Sequence, residues 1–248
     1  MSRLAPLVSS LGLMVVVAGS QTGLVSAETG QRALFLPRVV ERNAVTVDGK
    51  LDEAIWQKKE ASLATLFLKN STDIPKRPTK IYGVCDRKTI YFAWRCEEAS
   101  EADVADRKFE RDGNNLWQND CVEVFVQTGF QGGTFYHFIG EVNGQRWDGK
   151  QDVETWNPSP DWTFATSRKG ARWTAEASIP VACLGLRSAA PGDFVKVLFA
   201  REDWTFVGTA RDDPKKVRLE CWPAVTTLSF NSNASYRRLY FETDNLLP

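Results

Sequence analysis

A tryptophan, two amides, two carboxylates and a thiol fall within the run Trp117-Gln118-Asn119-Asp120-Cys121-Val122-Glu123, which continues as Val124-Phe125-Val126. From Cys121 onward, β-branched and aromatic residues dominate and Glu123 sits between Val122 and Val124, the pattern of a strand. A Trp at the mouth of such a strand can lie against a flat apolar face, and a Glu on the strand can accept hydrogen bonds from hydroxyl groups. A sugar ring offers both surfaces, an apolar face of axial hydrogens and a rim of hydroxyls. Aromatic side chains cover the first efficiently. The second needs satisfied partners, because a buried polar group without one costs about 1–3 kcal/mol. The residue types therefore suit recognition of a sugar better than bond-breaking. Two blander roles compete with this one: Trp117 could pack as a rim residue on the segment 97–115, and Glu123 could be a solvated face residue.

Reactive chemistry has little to build on. His137 is the only His of the chain and lies in the aromatic run Phe135-Tyr136-His137-Phe138, where a structural, hydrogen-bonded His is the default. A Ser-His-Asp site would have to use it, and no Gly-x-Ser-x-Gly elbow accompanies it. A glycosidase needs two facing carboxylates at a defined separation, and no motif selects such a pair from the 31 acidic residues. A haem held by His and Met, or by two His, is excluded by counting, since Met1 and Met14, the only Met residues, fall in the expected leader; a His/Lys pair stays open, so haem binding and glycoside hydrolysis stand as the less favoured alternatives. No catalytic residues are expected.

The elements that must position these groups read as strands. Lys80–Cys85 and Thr89–Cys96 are joined by the hairpin signal Asp86-Arg87-Lys88. Further strands are expected at Cys121–Gln127, Phe135–Val142, Thr163–Ser167, Ala171–Ile179, Val195–Arg201 and Leu239–Phe241. Asp48-Gly49 and Asn143-Gly144 are turns, and Asn157-Pro158-Ser159-Pro160 is loop. Val45–Trp56 reads as a strand, a turn and a short helix whose Leu51, Ile55 and Trp56 plug the core. Glu97–Asn115 is a long charged surface segment, with a helical turn near Val104–Phe109. Short strands punctuated by turns predict an all-β fold, an antiparallel β-sandwich with short helical turns.

At the N-terminus, Arg3, the apolar stretch Leu11–Ala18 and the small residues Val25-Ser26-Ala27 predict a signal peptide over 1–27. Residues 28–44 follow as an extension or first edge strand, and 45–248 as one domain. The expected location is secreted or periplasmic, without membrane insertion. Basic and acidic residues balance at 31 each, which gives no electrostatic case for nucleic acid. The nine Trp are about three times the usual share, pointing to a large aromatic core, stacking platforms, or both. Trp56, Trp94 and Trp173 sit in apolar motifs and are expected in the core. The five Cys lack any Cys-x-x-Cys spacing, which speaks against zinc or redox sites. If the strands Tyr91–Cys96 and Cys121–Gln127 are antiparallel neighbours, Cys96 and Cys121 share one end and are the candidate disulfide.

Four motifs in order carry a family resemblance: Val47-Asp48-Gly49-Lys50-Leu51-Asp52-Glu53-Ala54-Ile55-Trp56; Arg111-Asp112 with Trp117-Gln118-Asn119-Asp120-Cys121-Val122-Glu123-Val124-Phe125; Trp173-Thr174-Ala175-Glu176-Ala177-Ser178-Ile179-Pro180; and Arg201, Trp222-Pro223 and a closing strand near Arg238–Phe241. Together they resemble carbohydrate-binding module family 9 and its DOMON-like relatives, over about Val45 to Phe241. The resemblance implies a non-catalytic β-sandwich that holds a sugar or polysaccharide end between two aromatics, ringed by polar side chains. Carried onto this chain, Trp117 is the first aromatic, Glu123 a polar ligand, Arg146 the basic ligand, Tyr236 the second aromatic and Asn233 an amide ligand, with Trp222 lining the same end. Tyr236 stands where a Trp is expected, and Ser replaces a second amide. The resemblance also implies structural calcium, although no Asp-rich calcium loop is recognisable. The expected partner is a mono-, oligo- or polysaccharide, with another exported protein as a second partner class. The alternative is a sandwich that has lost its sugar site and serves as a structural or protein-interaction domain. An open cleft joining Trp117, Arg146 and Tyr236 would favour binding; a buried Trp117 would favour loss.

Overall fold

Strands form where β-branched and aromatic residues cluster. In the computed structural model they are β1 (Leu34–Val39), β2 (Ser62–Thr65), β3 (Phe67–Leu68), β4 (Thr79–Cys85), β5 (Thr89–Glu97), β6 (Cys121–Gln127), β7 (Phe135–Glu141), β8 (Arg146–Lys150), β9 (Thr163–Arg168), β10 (Arg172–Pro180), β11 (Phe194–Asp203), β12 (Arg218–Trp222) and β13 (Arg237–Leu247). The structure describes residues 33–39, 44–101, 107–113, 115–129, 133–151, 156–204, 217–225, 230 and 233–247. The expected signal peptide, residues 28–32 and residues 104–106 of the expected helical turn lie outside these residues, and 107–109 form no helix.

All thirteen strands join one large, nearly closed sheet, in the order β8-β7-β6-β11-β13-β1-β4-β5-β10-β9, with β12 on β11, β2 on β4 and β3 on β12. β1, expected at an edge, lies instead between β13 and β4, parallel to both. Its Leu34, Leu36 and Val39 are buried, so this apolar segment closes the sheet rather than bordering it. The other ladders among the described residues are antiparallel.

The inner faces of the two halves share one core. Ile90, Phe92, Trp94 and Trp173 from one half pack with Val122, Val124, Val126, Phe138 and Phe199 from the other. Phe92 meets Phe199 edge-on at 5.1 Å, although β5 and β11 are not neighbours in the sheet. Trp94 and Trp173 are core residues, as their motifs predict.

The first motif is stapled to the third. Val45–Val47 forms no strand, and the helical piece is a single 3-10 turn, Ala54–Gln57, that buries Ile55 and Trp56 beside the half-buried Leu51. The Glu176 carboxylate accepts from the Asp48 and Gly49 amides at 3.0 and 2.9 Å and from Trp56 Nε1 at 2.7 Å. Gly49 has φ +84°, and a Cβ there would lie 2.3 Å from the Thr166 carbonyl carbon. Only glycine lets the turn approach this closely.

The candidate disulfide does not form. β6 pairs with β11 and β7, not with β5. Cys96 lies in the shared core, whereas Cys121 faces the other side of the sheet with Leu116 and Ile139. All five cysteines are free and buried, and burial pushes their thiols upward, Cys85 and Cys183 to about 12.

Candidate functional site

β6 is buried on both faces. Val122, Val124 and Val126 enter the core, and Cys121, Glu123 and Phe125 point the other way. Register fills in that second face. Glu123 lies opposite Ile139 on β7 and Ala200 on β11, Phe125 opposite His137 and Leu198, and Cys121 opposite Glu202. Ile139 is in turn opposite Trp147 on β8. One continuous surface therefore gathers Glu123, His137, Trp147 and Glu202.

His137 lies flat on Phe125, ring centroids 3.8 Å apart and planes 15° from parallel, and meets Trp147 edge-on at 5.1 Å. Gly149, opposite His137, leaves room for this: a Cβ there would come within 2.4 Å of the Trp147 ring. His137 Nε2 is 2.6 Å from Glu123 Oε2. Glu123 is 3 % exposed. Its second oxygen, Oε1, is buried with no hydrogen-bond partner among the described residues. A buried carboxylate oxygen without a donor is an acceptor waiting for one, since leaving it unmet is costly.

Trp117 rides on a 3-10 turn, Leu116–Gln118, that packs on β6 and β7. The Asn-Asp pair of its motif holds that turn. Asn119 Nδ2 donates to Glu141 Oε2 at 2.6 Å, and the same Glu141 accepts the Asn143 and Gln145 amides. Asp120 Oδ1 accepts the Trp204 amide at 2.6 Å, and the Trp204 indole donates back to the Trp117 carbonyl at 2.7 Å. Leu116 is buried below. The turn's backbone is thus anchored from three sides while Trp117 itself remains 41 % exposed. Its neighbour ring, Trp204, is buried at 6.4 Å centroid distance.

Glu202 is half-buried on this face. Burial pushes its carboxyl up to about 9, with the charge of Glu123 adding to the rise and Trp204 and Lys69 opposing it.

The remaining residues expected at the site are distributed differently. Tyr236 is on this side of the sheet but buried, its ring 5.9 Å from Phe125 and packed with Phe230 and Val225. Arg146 pairs with Gly140 and points from β8 to the opposite side from Trp147. There it binds Asp161 at 2.8 Å and the Trp162 carbonyl; burial lowers its pKa, against the pull of Asp161. Trp222 belongs to the shared core, 6.4 Å from Phe199. The structure therefore does not bring Arg146 or Trp222 to the face of Glu123. Asn233 is in a 3-10 turn, Asn233–Ser235, and its side chain lies outside the described residues. His137, Trp147, Trp204 and Glu202 are the site neighbours that the linear motifs do not select. Strand alternation together with the β6–β7–β8–β11 register is the signal that finds three of them, His137, Trp147 and Glu202. Among the described residues, no group of three or more His, Cys, Asp or Glu side chains could hold a metal ion.

The model of the carbohydrate family 9 binding domain-like family matches residues 47–236. The chain belongs to that family. Solved structures share the fold of this family 9 domain at low identity. A protein from Bacteroides uniformis ATCC 8492, named for an inferred carbohydrate-binding role, superposes with a TM-score of 0.65 at 18 % identity, over 85 % of this chain and 99 % of the other. A family 9 carbohydrate-binding module from Caldicellulosiruptor kristjanssonii, in complex with cellotriose, gives 0.54 at 13 %, over 88 % and 98 %. A family 9 carbohydrate-binding module from Caldicellulosiruptor kristjanssonii in complex with glucose gives 0.53 at 13 %, over 88 % and 100 %. No curated protein matches the chain.

Proposed function

We propose that this family 9 domain is a non-catalytic, exported carbohydrate binder, a β-sandwich that grips a sugar against Trp117 with Glu123 as its principal polar ligand. The observation that carries the reading is an exposed indole on an anchored turn, followed on the next strand by a buried carboxylate oxygen that lacks a donor. The first supplies an apolar platform. The second supplies an acceptor that a hydroxyl completes. His137 fixes the other oxygen of Glu123 and so orients it. The neighbouring modules bound to cellotriose and glucose support the ligand class. Tyr236, buried beneath Phe125, serves as the floor of the site, and the grip relies on one exposed platform.

The test is retention in affinity electrophoresis on soluble polysaccharides. Trp117→Ala should abolish retention while leaving the circular dichroism spectrum unchanged, because the ring is exposed and the turn is held through its backbone carbonyl. Equal retention by variant and wild type would overturn the reading and favour a structural or protein-interaction domain.

A further inference from the structure

The charged segment ahead of Trp117 is tied to the turn that carries this indole. The Arg107 carbonyl accepts from Asn119 Nδ2 at 3.1 Å and from Asn143 Nδ2 at 2.8 Å, and Asn119 is the residue that ends the turn. The Arg107 guanidinium lies 5.7 Å over the Trp204 ring, whose indole holds the Trp117 carbonyl. Phe109 packs against the cluster of Leu116, Cys121 and Ile139. Residues 107–113 therefore form a strap against the Trp117 turn.

The far end of the strap closes on an ionic clasp. The Asp112 amide donates to the Arg146 carbonyl at 3.0 Å. Arg111 forks onto Asp161, Nη1 to Oδ2 at 2.7 Å and Nη2 to Oδ1 at 3.2 Å, and its Nε donates to Asp112 at 3.0 Å. The same Nη2 lies 3.6 Å from Asp148. The receiving side is fixed in the core. Trp162, next to Asp161, is buried, and its indole donates to Asp148 Oδ1 at 2.8 Å. Arg146 reaches Asp161 at 2.8 Å and also donates to the Trp162 carbonyl.

Charge governs this clasp. The carboxylates of Asp112, Asp148 and Asp161 meet the guanidinium groups of Arg111 and Arg146. Asp148 is buried, and its Oδ2 has no hydrogen-bond partner among the described residues. Burial raises the Asp148 carboxyl, the charges of Asp112 and Asp161 add to the rise, and Arg111 opposes it. Without Arg111, three acids would face one base, and the repulsion would act between Asp112 on the strap and Asp148 and Asp161 on the core. Asp112 also has φ +56°, a left-handed backbone that is disfavoured for a residue with a Cβ, so the strap gains by letting go. The Arg111 and Asp161 side chains are 36 % and 43 % exposed. Salt therefore reaches the pair and screens it.

We propose that Arg111 is a positioning residue for the Trp117 platform: its clasp on Asp161 keeps the strap against the turn, so affinity for an uncharged sugar depends on an ion pair outside the grip. The inference rests on the sugar-binding reading.

The test is calorimetric titration of the full chain with uncharged cello-oligosaccharides at rising sodium chloride, with thermal unfolding followed in parallel. Wild-type affinity should fall about threefold between low salt and about 1 M, the scale of an exposed ion pair. Arg111→Gln should bind about threefold more weakly at low salt and show no salt dependence. Arg111→Lys, which keeps the charge, should regain most of the lost affinity. Arg172→Gln cuts a comparable surface pair, 2.8 Å to Glu97, and should bind as wild type does. An ion pair of purely structural value would lower the melting temperature without moving the affinity of the folded chain. The wild-type salt series stands even if Arg111→Gln folds poorly. Salt-independent binding by wild type, or equal losses in Arg111→Gln and Arg172→Gln, would overturn the positioning role and leave sugar binding intact. Failure of the wild type to bind these sugars at any salt would overturn both.

Discussion

Single side chains in this domain owe their properties to the layer that covers the outer face of β6. Glu123 alternates with valines, a pattern that equally describes a solvated carboxylate, but Phe125, His137 and Trp147 enclose it. On the same face, burial and the charge of Glu123 raise the Glu202 carboxyl above its ordinary range. Its folded pKa is raised from 4.5 to about 9. Between those values the folded state binds a proton that the unfolded chain has released, so this group's contribution to stability is full at low pH and is lost as pH rises toward 9. The expected outcome is a melting temperature that falls across that window in wild type and falls less steeply in Glu202→Gln, read by thermal denaturation at a series of pH values. Parallel slopes in the two proteins would show that Glu202 titrates normally.

Elements are held in place by buried carboxylates that collect backbone and indole donors. Glu141 fixes the turn that carries Trp117, through Asn119, and the turn after β7, through Asn143 and Gln145. Glu176 joins the first motif to β10. Burial raises the Glu176 carboxyl to about 7 against the opposing pull of its donors. Glu176→Ala would leave the buried Gly49 amide and Trp56 indole N–H unmet, at roughly 2–5 kcal/mol for the two. Urea denaturation should show that loss. A change below 1 kcal/mol would mean that water enters and replaces the carboxylate. This staple is also why Asp-Gly and Trp stand together in the first motif and a Glu stands in the third. The motifs were legible in the sequence, but their mutual contact was not, because Asp48 and Glu176 are 128 residues apart.

The whole molecule depends on one nearly closed sheet around a shared core, with β1 joining β13 to β4. Phe92 crosses between the halves to meet Phe199. Phe92→Ala should cost about 3–5 kcal/mol, as large-to-small changes at buried aromatics do, and should lower the midpoint of a single cooperative unfolding transition followed by tryptophan fluorescence. A separate early transition for one half would show that the halves fold independently. The strand runs at 80–96, 121–127, 135–142 and 171–179 could be read from local pattern, because side-chain alternation and turn chemistry are properties of neighbouring residues. So could the burial of Trp56, Trp94 and Trp173, and the exposure of Trp117 beside a strand bearing Glu123. Which strands pair is a non-local choice, and it decided the rest. Pairing of β6 with β7 and β11 separated Cys96 from Cys121, and brought His137 and Glu202 to Glu123. A one-residue step along β8 put Trp147 on that face and Arg146 on the other. The sequence by itself determined the longer strands at 80–96, 121–127, 135–142 and 171–179, the aromatic core and the family motifs, but not the short strands β2, β3, β8 and β12. Only the tertiary structure decided which polar residues share a surface, because a strand shows alternate side chains to opposite faces and its partners come from distant parts of the chain.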